Sequence, residues 1–165
     1  MARCQNRQRS FSIASADSSK ETKDMNETDL AKRCGESMWR DDIASQELGM
    51  RIEVTGPGAA EARFEVRRNM VNGHGVCHGG YIFTLADSAF AFACNTYDRM
   101  TFAASASIEF VKPARLGDEL VAVASEGCRG GRTGIYDVSV RNQNNDLVAI
   151  FRGRSYATRD PILIK

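Results

Sequence analysis

Asp87 is an acid in a place where acids are costly. It stands within the apolar run from Tyr81 to Cys94, whose other polar side chains are Thr84 and Ser88. Thr84, Asp87, Ser88 and Asn95 are spaced by three, four and eleven positions from the first, which puts them on one side of a helix. A carboxylate on an apolar helix pays to leave water and needs a partner or a task. Burial would raise its pKa; hydrogen bonds from Thr or Asn would lower it. Ionised at neutral pH, it could act as a base or a nucleophile. A structural Asp, bonded to a nearby backbone or Arg, is the alternative at this stage.

Two turns upstream stands His78-Gly79-Gly80. A helix that starts there exposes free N–H groups and the positive end of its dipole, which favour an anion. Two glycines let a substrate oxygen approach with no Cβ in the way, as an oxyanion hole for acyl transfer requires. They could also serve only a tight turn. His74, Cys77 and His78 do not make a metal site, because the chain has two histidines and no acid nearby in sequence. A Cys77–His78 nucleophile pair is disfavoured too, since adjacent side chains diverge. Lys112, Arg115, Arg129 and Arg132, the last followed by Thr133, stand near predicted strand ends and could meet the phosphates of a nucleotide-bearing substrate. Gly130-Gly131-Arg132-Thr133 lacks the Gly-Lys-Ser/Thr ending of a P-loop.

The elements that must position these residues are readable from periodicity. Leu30, Cys34 and Met38 recur every four residues and predict a helix over 27–40. Alternation over 48–54, a break at Gly56-Pro57-Gly58, and renewed alternation through Ala62, Phe64 and Val66 predict an antiparallel hairpin. Four glycines between Asn69 and Gly80 imply unusual backbone angles or close approach. A helix over 79–97, apolar on nearly all sides, needs cover beyond one sheet face, which a twofold dimer could supply. Four strands follow, over 102–112, 119–127, 133–141 and 147–158, with short links that predict a meander of antiparallel neighbours. The fold class is therefore α+β, an antiparallel sheet covering one face of a long central helix.

The chain has 165 residues and a net charge of +1, which argues against a broad nucleic-acid or membrane surface. No apolar run reaches the roughly 20 residues of a membrane span. Five scattered cysteines without a CxxC pair suggest neither a disulfide framework nor a zinc cage and fit a reducing cytoplasm. Residues 1–26, rich in Ser, Arg, Gln and Lys, read as a disordered tail, with a start at Met25 or an organellar transit peptide as other readings. Residues 27–165 read as one domain.

The stretch Asn72-Gly73-His74-Gly75-Val76-Cys77-His78-Gly79-Gly80, followed by Phe83-Thr84-Leu85-Ala86-Asp87, resembles the signature of the hotdog-fold thioesterases. Phe110-Val111-Lys112-Pro113-Ala114, Gly134-Ile135-Tyr136-Asp137-Val138 and Ala149-Ile150-Phe151-Arg152-Gly153 are similar to that family as well. Within it, the chain is most similar to the acyl-CoA thioesterases of the phenylacetate pathway. The resemblance implies a sheet wrapped around the central helix, paired sheets in a homodimer, and a homotetramer as a dimer of dimers. It implies that the Gly79 N–H polarises the thioester carbonyl, that Asp87 of the other subunit attacks or activates water, and that Asn72 orients water or thioester. It places His78, Gly80, Thr84, Ser88, Arg132 and Thr133 beside the acyl-CoA, with His78 in a structural role that supports the turn, and requires no metal or other cofactor. The implied activity is hydrolysis of phenylacetyl-CoA or a ring-hydroxylated relative. A hotdog hydratase or dehydratase, with His78 and Asp87 converging, and a non-catalytic acyl-CoA-binding module are the alternatives.

Overall fold

A computed structural model of the chain describes residues 25–163; most of the expected tail lies outside them. Asn26 caps the first helix by accepting the Asp29 N–H at 2.9 Å, and α1 runs over Glu27–Asp41. Its inner side carries Ala31 and Cys34, both fully buried. Asp42 then accepts the Ser45 N–H at 3.1 Å and opens a short α2, Ile43–Glu47. Five residues are too few to show a helical period, and periodicity assigns this segment to no element. The hairpin is β1, Arg51–Gly56, and β2, Ala59–Glu65, turned at Gly58 with a φ of 69°.

A 3-10 turn at Arg68–Met70 leads through the glycine-rich loop to α3, Gly79–Cys94. The helix stops short of the expected Tyr97 because Asn95 turns its side chain back. Its Nδ2 donates to the Ala91 and Thr101 carbonyls, both at 2.9 Å. Then come β3, Thr101–Phe110, β4, Glu119–Gly130, β5, Thr133–Asn142, and β6, Leu147–Ala157.

The six strands form one antiparallel sheet in the order β1-β2-β4-β5-β6-β3. The expected meander therefore needs a correction: β3 does not neighbour β4. The link between them carries Pro113 and is tied down elsewhere. Cys77 N–H donates to the Ala114 carbonyl, Gly117 N–H to Val66, and Val66 N–H to Asp118. These bonds deliver β4 to the free side of β2 and leave β3 to pair with β6. Strand β3 ends as an outer strand. Between Phe102 and Phe110 every residue is exposed except a half-buried Ile108.

Helix α3 lies across the inner face of this sheet. Leu85, Ala89 and Phe90 are fully buried against Leu120, Tyr136 and Phe151, each large side chain contributing about 1.5–3 kcal/mol by leaving water. Phe90 stacks at 5.5 Å on Tyr136 and 5.8 Å on Phe151. A Cβ on Gly153 of β6 would sit 2.9 Å from the Phe90 ring, so that glycine sets how closely helix and sheet approach. Past α3, the Asp98 carboxylate accepts the N–H groups of Ile162 and Leu163, both at 2.9 Å, and ties the far end of the chain to the helix.

Candidate active site

Helix α3 is not enclosed on every side. Gly80, Thr84, Asp87, Ser88 and Ala91 form a half-buried to exposed stripe. Spacing predicted Thr84, Asp87 and Ser88 on it; Asn95, the fourth residue expected there, is instead buried past the helix end and bonds the Ala91 and Thr101 carbonyls. Two of the stripe's polar groups are satisfied locally. Thr84 Oγ1 donates to the Gly80 carbonyl at 2.8 Å, and the Ser88 and Ser45 hydroxyls lie 3.2 Å apart. Asp87 is different. It makes no hydrogen bond or ion pair among the described residues, and burial alone pushes its carboxyl above the usual carboxylate range. The anticipated Thr and Asn donors do not reach it. Burial pushes the Cys77 thiol up to about 11 and the Cys94 thiol up to about 12, so neither supplies a thiolate near neutral pH.

The helix start divides its donors. His78, extended at φ −64° and ψ 132°, is the cap, and its Nδ1 accepts the Gly80 N–H at 2.9 Å. Tyr81 N–H donates to the His78 carbonyl. The Gly79 N–H has no acceptor among the described residues. Of the two glycines, one therefore offers a free donor at the positive end of the dipole. The Cβ-free approach expected at both glycines is also corrected. A Cβ on Gly79 would lie 2.9 Å from the Phe110 ring, and one on Gly80 would lie 3.1 Å from His78 Nδ1.

Asn72 organises the loop before the helix. Its Oδ1 accepts the His74 N–H at 2.9 Å and the Val76 N–H at 3.4 Å, which leaves its amide N–H groups for another partner. Beside the helix start lies an open cleft of about 430 Å³ walled by Leu48, His78, Gly80, Tyr81 and Thr84. Leu48 also borders a cavity of about 440 Å³ that carries Arg51, Arg63 and Arg67 and none of the predicted site residues. The first of these carries three of the predicted site residues, His78, Gly80 and Thr84.

Within one chain the predicted groups do not meet. Eight helical positions separate Gly79 from Asp87, a rise of about 12 Å. His78 and Asp87 are farther apart still, so they do not converge as a hydratase would need. Of the basic residues, Arg129 and Arg132 share one crevice and Lys112 lies apart from them. Lys112 pairs with Asp146 at 2.6 Å near the β5–β6 turn. Arg129 pairs with Glu126 at 3.4 Å and stacks 3.7 Å over Tyr97, beyond the opposite end of α3. Arg132 donates to the Ala157 carbonyl at 2.8 Å over the Tyr156 ring, and Thr133 bonds the Gly130 carbonyl at 3.3 Å. Both line a crevice with Cys94, Tyr97 and Tyr136. Among the described residues no group of three or more His, Cys, Asp or Glu could hold a metal, and no helix is long and apolar enough to cross a membrane.

A free amide at a helix start can polarise a carbonyl, and a lone acid on the open stripe of the same helix can act as a base or nucleophile. The family model described as "Thioesterase superfamily" matches residues 74–149. The acyl-coenzyme A thioesterase PaaI of Escherichia coli (strain K12) is 40% identical over 120 residues, 73% of this chain and 86% of that protein. The chain belongs to the thioesterase superfamily. As such it is a thioester hydrolase of the hotdog fold. The solved structure of E. coli PaaI, a protein from the phenylacetic acid degradation operon, superposes with a TM-score of 0.80 at 36% identity, covering 82% of this chain and 99% of that one. A Streptococcus mutans UA159 protein bound to acetyl CoA matches with a TM-score of 0.65 at 28% identity, over 68% of this chain and 90% of that one.

Two contributors to the site escape sequence reasoning. Leu48 reads in sequence as the start of a strand, whereas it follows a short helix and walls the cleft, and Phe110 lies thirty-one residues from the glycine it touches. The signal for Phe110 is its place at the head of the family-like stretch Phe110-Val111-Lys112-Pro113-Ala114.

Proposed function

We propose that this thioesterase hydrolyses phenylacetyl-CoA or a ring-hydroxylated relative to the free acid and CoA, in the cytoplasm, at sites built from two copies of the chain. The observation that carries the reading is the pairing of an unbonded Gly79 N–H with an unpartnered Asp87 about 12 Å along one helix. A twofold axis that set two α3 helices antiparallel, centred near Phe83, would bring Gly79 of each copy level with Asp87 of the other. The exposed outer strand β3, free along one edge, suits such pairing. Two such dimers would complete a tetramer.

In that arrangement the Gly79 N–H donates to the thioester carbonyl oxygen and stabilises the negative charge that develops there. Asp87 of the second copy, ionised above its raised pKa, attacks the carbonyl carbon or takes a proton from the attacking water. The C–S bond breaks and CoA leaves as the thiolate; after direct attack, water then cleaves the acyl–Asp87 anhydride and restores the carboxylate, and on either route one water supplies the hydroxyl of the acid and the proton of the thiol. The Asn72 amide faces the same loop and can hold the water or the thioester. His78 acts through the cap on Gly80. Arg132 and Thr133 of the second copy would lie outward of the helix start, in position for the phosphates of CoA.

The test is free-thiol release across a panel of aryl-acetyl, straight-chain and enoyl-CoA esters. Highest turnover on the aryl-acetyl esters is expected. Preference for straight-chain esters would overturn the substrate class. Loss of enoyl absorbance without thiol would favour the hydratase, and tight binding without turnover the binding module.

A further inference from the structure

The side chain that Gly79 lacks is supplied by another strand. Where its Cβ would stand, three carbons of the Phe110 ring lie at 2.9, 3.3 and 3.4 Å. The ring is held there by backbone register. Phe110 pairs with Ala149 on β6, and the next two N–H groups, of Val111 and Lys112, both donate to the Val148 carbonyl at 2.8 and 3.2 Å. A ring used only for packing would be buried. Phe110 is instead 54% exposed, so one part of it covers Gly79 while the rest faces outward beside the one free N–H of the helix start. Apolar surface at that place keeps water off the donor, and a hydrogen bond in a drier site is stronger.

We propose that Phe110 is a positioning residue for the thioester: its ring walls the Gly79 N–H against water and gives the carbonyl one side on which to lie. This rests on the reading of Gly79 as the oxyanion donor. It also accounts for glycine at position 79 by the space the ring fills rather than by a turn, because His78 and not Gly79 makes the cap.

The experiment compares wild type with Phe110→Ala and Phe110→Leu in the full-length protein. Steady-state thiol release is read together with the exchange of the Gly79 amide proton with water, followed by NMR. Phe110→Ala should lower kcat about tenfold or more, since small misplacements at a reacting carbonyl are costly, while KM moves less than about threefold. The Gly79 amide should exchange about tenfold faster in the same variant. Phe110→Leu, bulky and apolar, should restore most of both. Wild-type kcat and exchange in Phe110→Ala overturn the proposal. So does a loss of kcat that follows dissociation of the assembly, measured by sedimentation, while the amide is unchanged. If wild type releases thiol from no ester, the catalytic reading fails by itself, and the amide exchange still decides whether Phe110 shields Gly79.

Discussion

Two inactive variants of this enzyme should make an active mixture. Asp87→Asn keeps the shape of the stripe and removes the base or nucleophile, at an expected cost of about 10²–10⁴ in kcat, or roughly 3–5 kcal/mol of transition-state stabilisation. Gly79→Pro removes the one free donor, at a cost of about 10²–10³. Proline suits this place. Gly79 is the first residue of α3, where a missing N–H breaks no helical bond, and His78 before it is already extended, as a residue before proline must be. The Phe110 ring, 2.9 Å from where the proline Cβ would stand, has to shift to admit it, but the Asp87→Asn chain keeps its own ring in place beside the intact Gly79. After unfolding, mixing in equal amounts and refolding, about half of the dimers pair one chain of each kind. In such a dimer one site inherits Gly79 from the Asp87→Asn chain and Asp87 from the Gly79→Pro chain, and the other site inherits both lesions. The mixture should recover about a quarter of wild-type turnover per chain, read as thiol release. Each variant refolded alone should stay at its own low level. A mixture no more active than the average of its parents would refute the two-copy site and place both groups within one chain.

Other outcomes follow from the same geometry. Because burial raises the Asp87 pKa, kcat/KM should rise with pH through an apparent pKa above the ordinary carboxylate range, and Asp87→Asn should remove that limb. Stability runs the other way: the folded chain holds this proton to higher pH than the unfolded chain, so folding stability declines as pH rises through the window. Asp87→Asn should abolish that slope in urea titrations at several pH values. His78→Ala should cost about 0.5–2 kcal/mol through the lost cap on Gly80, visible in thermal melts, and His78→Asn should restore most of it. Ser107→Glu puts a carboxylate opposite Arg152 in the β3–β6 register, where the protomer tolerates it. It also puts like charges together across a paired β3 edge, so sedimentation should show monomers with turnover lost together.

Local chemistry was legible in the sequence and distant pairing was not. The start of α3 and the lone acid beside Thr84 and Ser88 follow from residues within one or two helical turns, and the structure has them where spacing put them; Asn95, expected on the same side, turns inward to Thr101 instead. The strand after the central helix was placed beside its successor in sequence because short links favour neighbours. What moved it was a set of hydrogen bonds from Cys77 and Val66 to the following link, partners nearly forty to fifty residues away. The division between Gly79 and Gly80 was hidden for a similar reason: it depends on which way the His78 ring turns, and the Phe110 contact depends on register across the sheet. Arg132 and Arg115 are close in sequence number, yet the length of β4 stands between them.

The 12 Å between Gly79 and Asp87 also bears on how much protein is enough. If the proposed two-copy site holds, each chain carries two halves of different sites and has no turnover as a monomer. At dilutions well below the dimer dissociation constant, the number of complete sites would rise with the square of the chain concentration, so specific activity would fall on dilution and recover on concentration. Substrate that bridges both copies would oppose that fall, stabilising the pair it needs. A cell making little of such a protein would thus have disproportionately little activity, switched on over a narrow range of expression with no separate regulator.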